Sequence, residues 1–379
     1  MDFELNEVEA AVQATARAFA RDEVAPQAAA NDRAERFPEP LIRRLGELGL
    51  LAVNVPAALG GSEAGPAAYA LSLIELSVAD RSVAVVAGVT NMVAELITRY
   101  GTPTQQEHHV PRLASGEWLA GSFALSEPGC GSDPASLTTR AERRGSGWAL
   151  TGEKAWVTSG DVAGVVVVWA RTGPGPQGIT AFLVEAGTPG LAVGRREEKM
   201  GLRASHTVTL SLEECLVPDA ARLGGVGEGL RIALSALDGG RIGIAAQATG
   251  TIRAALEASA AYARERRTFG RAIGEHQAVA FLLADLAVDH DTARLLTLRA
   301  AAQKATGRPF TREAAMAKLW ASEAAQRAVS AAVQIHGGNG YVEDYGIARL
   351  YRDARVQTIY EGTSQIQRLV ISRGLLREG

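Results

Sequence analysis

One stretch of this sequence, from about Trp118 to Arg222, follows a different pattern from everything around it, and that contrast constrains the fold more than any other feature. Short apolar runs separated by glycine and proline read there as strands, among them Trp148-Ala149-Leu150, Ala163 to Ala170, Ile179 to Val184 and Thr207 to Leu212. Before it, from Asn6 to about Ala114, the chain is alanine-rich and poor in β-branched runs, with breaks at Pro26, Pro38, Pro56, Gly60-Gly61 and Gly101-Thr102-Pro103, which predicts helices. After it, from about Gly227, helical periodicity returns. Val279, Leu282, Leu283, Leu286, Ala293, Leu296 and Ala300 share one stripe of a long helix whose opposite face is expected to carry charges. A further helix is expected to begin at a Thr311 cap after Pro309 and to stop at Gly337-Gly338. The order helix, sheet, helix predicts an α+β chain that is mainly α, in three units: an all-α domain at 1–117, a β-domain at 118–224 and an α-helical domain at 225–379. A chain of 379 residues, 47% hydrophobic, has enough apolar material to bury cores of that size.

Charge and cysteine content exclude several functions. Lysine plus arginine total 39 against 42 acidic residues, so the net charge of −3 offers no basic field for nucleic acid. Cys130 and Cys215 are too few for a disulfide framework and lack the clustered spacing of a zinc site, which favours a reducing setting. The start, Met1-Asp2-Phe3-Glu4, is acidic where a signal peptide is basic, and no apolar run approaches the roughly 20 residues that span a bilayer. The run from Val165 to Ala170 suits a buried strand, so a cytoplasmic protein without membrane insertion is expected.

Several segments carry candidate chemistry. Phe123 to Asp133 packs glycines and hydroxyls into a loop whose amides could hold a cofactor or phosphate, although an ordinary surface turn uses the same residue types. In Trp156-Val157-Thr158-Ser159-Gly160 the indole could stack on a flavin or simply fill a core. No Gly-x-Gly-x-x-Gly opens a helix after a strand and no Walker-type Gly-Lys-Ser/Thr occurs, so Rossmann and P-loop chemistry lack support. Gly224-Gly225-Val226-Gly227-Glu228-Gly229 has the wrong spacing and reads as a connection. In Tyr360-Glu361-Gly362-Thr363-Ser364-Gln365 a carboxylate precedes a glycine and a helix N-terminus. Taken alone, Glu361 is a first-turn helix glutamate. His336-Gly337-Gly338-Asn339-Gly340 likewise reads as a helix stop with a satisfied histidine.

Taken together and in order, these segments resemble the acyl-CoA dehydrogenase family across almost the whole chain. FALSEPGCGSD at 123–133, GEKAWVTSG at 152–160, KMGLRASHT at 199–207, RRTFG with a downstream Gln277, QIHGGNGY at 334–341 and IYEGTSQIQ at 359–367 look like family signatures, with short-chain and short branched-chain members most similar. The resemblance implies an N-terminal helical domain, a middle β-domain and a C-terminal four-helix bundle, assembled as a homotetramer that is a dimer of dimers. It implies FAD as cofactor, held by Phe123, Ala124, Leu125, Ser126, Gly131, Ser132, Trp156, Val157 and Thr158 around the ring and ribityl chain. Arg266, Phe269, Gln277, Gln334, Ile335, Gly337 and Gly338 would reach the FAD of a neighbouring subunit, and Thr363, Ser364 and Gln365 would contact pyrophosphate.

By the same resemblance, Ser132, Asp238 and Arg241 would hold the CoA part of an acyl-CoA, with Gly362 beside the substrate and Glu361 as catalytic base. Family members that place the base on the helix near Asp238 would carry it where this chain has Gly240, so Glu361 has no rival. Thioester α-hydrogens are very weakly acidic, so the base needs a raised pKa, and the enolate needs hydrogen bonds, supplied in the family by a flavin ribityl hydroxyl and the Glu361 amide. Electrons would pass to an electron-transferring flavoprotein. An acyl-CoA oxidase, which usually carries an extra C-terminal domain, a dehydrogenase of acyl-carrier-protein thioesters and a non-catalytic flavoprotein scaffold are the alternatives. The chain ends soon after Ile371-Ser372-Arg373, against the oxidase, and possession of Glu361 speaks against the scaffold. Cys130 and His206 depart from the family pattern.

Overall fold

The computed structural model describes residues 4–377; the acidic start at Met1–Phe3 lies outside them. Helix α1 (Glu7–Phe19) starts at a reciprocal cap, with Glu9 N donating to Asn6 Oδ1 at 2.9 Å and Asn6 N to Glu9 Oε2 at 3.1 Å. One π-helical stretch, Ala20–Val24, carries it into α2 (Ala25–Ala34). Helices α3 (Glu39–Glu47), α4 (Gly65–Ala79), α5 (Arg81–Tyr100) and α6 (Pro103–Ala114) complete the first helical layer. Helix α5 is long and apolar enough to cross a bilayer by length and composition, although polar residues interrupt its apolar run, and 83% of that stretch is buried inside the molecule.

Strands β1 (Ala120–Ala124), β2 (Arg140–Arg144), β3 (Gly147–Thr158), β4 (Ala163–Arg171), β5 (Ile179–Glu185), β6 (Leu191–Arg196), β7 (Thr207–Pro218) and β8 (Arg222–Leu223) form one sheet, ordered β6-β7-β3-β2-β4-β5-β8. β1 pairs in parallel with β4. Val165 to Ala170 is buried throughout, the pattern of a strand covered on both faces. β1 went unpredicted because its small residues give no β signal. Its Gly121 is what lets the sheet approach α5, since a Cβ there would meet Val93 Cγ1 at 2.7 Å.

The chain then enters α7 (Gly229–Glu265), a short ribbon of β9 (Arg267–Thr268) and β10 (Arg271–Ala272), α8 (Gln277–Ala305), α9 (Thr311–His336), α10 (Gly338–Tyr341), α11 (Ile347–Ala354) and α12 (Ser364–Arg377). α7, α8 and α9 pack on one another, α12 lies along α9, and α4 and α5 join the outside of α7. Two expectations need correcting. Thr311 is the first residue inside α9 rather than its cap; its hydroxyl donates instead to Asp238 Oδ2 of α7 at 2.6 Å. The outer face of α8 is not simply charged, because Phe281, Val288 and Leu295, each seven residues apart, are exposed along it.

Candidate active site

After α11 the chain makes one 3-10 turn, Arg355–Thr358, and then a tight reversal into α12. Glu361 takes φ +54° and Gly362 φ +89° there. A left-handed glutamate persists only where its surroundings over-determine it. Here Lys318 Nζ donates to Gly362 O at 2.8 Å, while Gln367 Nε2 donates to Glu361 O at 3.2 Å and Gly362 O at 2.8 Å. Tyr360 OH donates to Gln247 Oε1 at 2.8 Å, fixing the other side. Glu361 is therefore not a first-turn helix residue. The helix begins at Ser364, and Thr363 Oγ1 accepts from Ile366 N at 3.3 Å.

The Glu361 side chain points inward, and its Oε2 is shielded from solvent with no hydrogen-bond partner. Burial pushes its carboxyl up to about 7, against the opposing pull of Arg241 and Lys318. Gly240 of α7 makes the room, since a Cβ there would fall 2.6 Å from Glu361 Oε2. Lys318 is fully buried, and burial drives its ammonium down to about 7 although Glu361 favours its charged form. Arg241, also buried, pairs with Asp238 one turn earlier, while its Nε lacks a partner. Arg241 thus acts on Glu361 while paired with Asp238, whose other oxygen accepts from Thr311, and Gly362 follows Glu361 in the turn with its carbonyl held by Lys318.

The loop at 123–133 is laced to β3. Ala155 N donates to Ser126 O at 2.9 Å, and Lys154 Nζ reaches Glu127 Oε1 at 2.8 Å. Glu127 also accepts from Thr138 N at 2.6 Å, Thr138 Oγ1 at 2.7 Å and Thr139 N at 2.9 Å. These donors hold its carboxylate down at about 2 in spite of burial, with Lys154 the strongest of them. Ala124 and Leu125 are buried, Phe123 and Ser126 partly so, and Gly131 and Ser132 are exposed. Trp156 is not a core residue. It stands 64% exposed on a left-handed backbone (φ +60°), while the next residue, Val157, is buried and Thr158 half-buried. An exposed indole on a rigid strand, beside a loop where neither Gly129 nor Gly131 has anything within 4 Å of an added Cβ, is the platform a flat ring system with polar edges requires. These residues fit FAD.

Arg266, Phe269 and Gln277 sit exposed at the end of α7, in the ribbon and at the start of α8, Phe269 being 96% exposed. Gln334, Gly337 and Gly338 are exposed at the end of α9 while Ile335 is buried. Asn339 Nδ2 donates to Tyr262 OH at 2.9 Å and His336 stacks on Tyr262 at 4.3 Å, so this group shares one end of the bundle with Arg266. Thr363, Ser364 and Gln365 occupy the start of α12, with Ser364 buried and Gln365 exposed. Cys130 is buried inside the loop, Sγ 3.3 Å from Asp133 O, and His206 is held by Asp161 at 2.6 Å and packed on Phe37, so both serve local structure.

Sequence reasoning missed Lys318, Gln367 and the Lys154–Glu127 pair. A signal for Lys318 did exist: it interrupts the buried alanine stripe Ala314, Ala317, Ala321, Ala325 and Ala328, where a charge needs a purpose.

Comparison with known proteins agrees with this arrangement. Three family models match: "Acyl-CoA dehydrogenase, N-terminal domain" at 6–117, "middle domain" at 122–215 and "C-terminal domain" at 227–376. The short-chain specific acyl-CoA dehydrogenase of Bos taurus mitochondria is 46% identical over 377 residues, covering 99% of this chain and 91% of its own. Butyryl-CoA dehydrogenase from Megasphaera elsdenii superposes with a TM-score of 0.97 at 38% identity, covering both chains completely. A chain in the structure of the electron transferring flavoprotein of Acidaminococcus fermentans superposes with a TM-score of 0.98 at 40% identity, again over both whole chains.

Proposed function

The chain belongs to the acyl-CoA dehydrogenase family, a family of FAD-dependent oxidoreductases, and from that premise we propose that it dehydrogenates a short or short branched acyl-CoA to the trans-2-enoyl-CoA. Electrons then pass to an electron-transferring flavoprotein, a partner supported by the Acidaminococcus structure. One observation carries the reading: a solvent-shielded, unpartnered carboxylate oxygen on Glu361, facing the bare Gly240, on a turn rigidly held from three sides.

A carboxyl with a pKa near 7 is ionised often enough to act as a base at neutral pH, and it is a far stronger base than an exposed glutamate. In this reading Cα of the thioester would stand against Oε2, whose neighbour Gly240 carries no side chain to crowd it. Closing that space with an acyl chain removes the remaining water and raises the basicity further. The Glu361 amide, by family likeness, helps to hold the thioester oxygen as enolate charge develops. Phe123 to Ser132 and Trp156 to Thr158 would hold and orient FAD, which when bound would supply the acceptor for a hydride from Cβ. Arg241 and Lys318 limit how far Glu361 rises, keeping it usable at neutral pH.

The test is anaerobic addition of butyryl-CoA to the FAD-loaded protein while flavin absorbance is followed. Rapid bleaching in wild type and its absence in Glu361→Gln support the reading. A flavin that stays oxidised with every acyl-CoA, or a Glu361→Gln enzyme that bleaches normally, removes it.

A further inference from the structure

A cavity lies between α4, α5 and α7, closed by the end of α8 and Phe310. On the Glu361 side it is lined by Tyr69 and Met92, while Gly239 faces Lys304, whose Nζ would lie 3.3 Å from an added Cβ. The neighbouring Gly240 shows how near the base is, because a Cβ there would meet Glu361 Oε2 at 2.6 Å and Met92 Sδ at 3.2 Å. Tyr69 bridges the two ends. Its hydroxyl is turned toward α5 and α7, 3.5 Å from Gly88 O and 2.5 Å from where a Cβ on Gly243 would stand. The cavity thus adjoins Glu361 across Met92 and extends to Glu95.

At that other end the lining changes character. α5 delivers Met92, Glu95 and Leu96 on one face, at spacings of three and four residues. Lys304, in the last turn of α8, places Nζ 2.5 Å from Glu95 Oε1 and 2.8 Å from Oε2. Asn54 Nδ2 donates to the same Oε2 at 3.1 Å. This pair is part-exposed, and such pairs add little to stability. Its position in the wall of a cavity that Leu96, Ala236 and Phe310 share with the hydrogen-bonded Arg99, Tyr100 and Ser235 gives it another consequence. An apolar chain end that reached it would strip water from two charges and return no hydrogen bond, whereas an oxygen at the same place would accept one from Lys304.

We propose that the Glu95–Lys304 ion pair is the specificity-determining floor of the acyl site: it admits short acyl groups that end before it and, among longer ones, favours those with an oxygen acceptor near the chain end over purely alkyl ones. This inference rests on the dehydrogenase reading above.

The experiment compares butyryl-, hexanoyl- and 4-methoxybutyryl-CoA by anaerobic stopped-flow flavin reduction. Hexanoyl and 4-methoxybutyryl have equal heavy-atom counts, so their ratio isolates polarity from length. In wild type, 4-methoxybutyryl-CoA is expected to exceed hexanoyl-CoA about tenfold in kcat/KM, the scale of one well-placed contact. In the double variant Glu95→Leu/Lys304→Met, checked for FAD content and far-UV circular dichroism, the order should invert. Wild type that prefers hexanoyl-CoA, or a folded double variant with an unchanged ratio, overturns the inference. The wild-type ratio needs no variant, so it tests the inference even where the double variant misfolds. Butyryl-CoA turnover with no polarity preference removes only the role of the ion pair; failure of all three to reduce flavin removes the dehydrogenase reading, and this inference with it.

Discussion

Glu361 concentrates the chemistry in one side chain, and its surroundings dictate how it should respond to pH and substitution. It must be ionised to accept a proton, so kcat/KM for flavin reduction is expected to rise with pH through about 7 and level off above. A profile that is flat between pH 5 and 8, or that rises near the ordinary glutamate range of about 4.3, would contradict a buried base. Glu361→Gln should bind acyl-CoA yet lose a factor of about 10,000 in flavin reduction, the upper end of what a lost general base costs. In the proposed function Lys318 acts through Glu361, whose pKa it lowers and whose turn it holds at Gly362 O. Lys318→Met removes a positive charge that lowers the Glu361 pKa and a bond to Gly362 O, so the rise in kcat/KM should move to higher pH while acyl-CoA affinity changes little. Lys318→Arg should restore part of the profile. An unshifted profile in Lys318→Met would leave the lysine a merely structural role. IYEGTSQIQ singled out Glu361 by resemblance, but the isolation of its carboxylate was not readable, because Lys318 and Gly240 come from other stretches of chain and meet it only through folding.

Among the elements, the change of period from helix to strand and back was visible because apolar alternation and alanine-rich stripes differ over windows of ten or more residues. What escaped were features set by partners: β1, whose place beside α5 depends on Gly121, and the outward apolar stripe of α8. The loop at 123–133 illustrates the same point, since its residues read as a turn while its shape is imposed by Lys154 of β3. Lys154→Met would strand the Glu127 carboxylate in a buried site, and removing one member of a buried pair typically destabilises by about 3–5 kcal/mol. We therefore expect a clear drop in thermal midpoint and weak FAD retention, both partly recovered in Lys154→Met/Glu127→Gln, which leaves no unpaired charge. Unchanged FAD content in the single variant would show that the loop keeps its shape without the pair.

At the level of the whole molecule, the surface itself argues for an assembly. Phe281, Val288 and Leu295 form an exposed apolar stripe down α8, and Phe269 stands almost wholly in solvent beside Arg266 and Gln277. Isolated exposed hydrophobics are ordinary, but a stripe of fixed spacing together with an almost fully exposed aromatic packed on His276, at the start of the same helix, is the pattern of a contact surface. If those residues complete the cofactor site of a neighbouring copy, then FAD binding and oligomerisation draw on the same free energy, and each must strengthen the other by mass action. The expected consequence is measurable without substrate. Sizing of FAD-loaded protein should give an oligomer, consistent with a dimer of dimers. Serial dilution should release FAD together with dissociation, with one midpoint for both. Arg266→Ala should shift that midpoint to higher protein concentration without altering the secondary structure, because Arg266 is exposed within its own chain. Phe269→Ser should do the same more strongly, since it removes an aromatic anchor of the kind that dominates interfaces. A monomer that holds FAD fully at every dilution, or an Arg266→Ala protein with the wild-type midpoint, would show that each chain completes its own site and that the exposed stripe on α8 serves another contact.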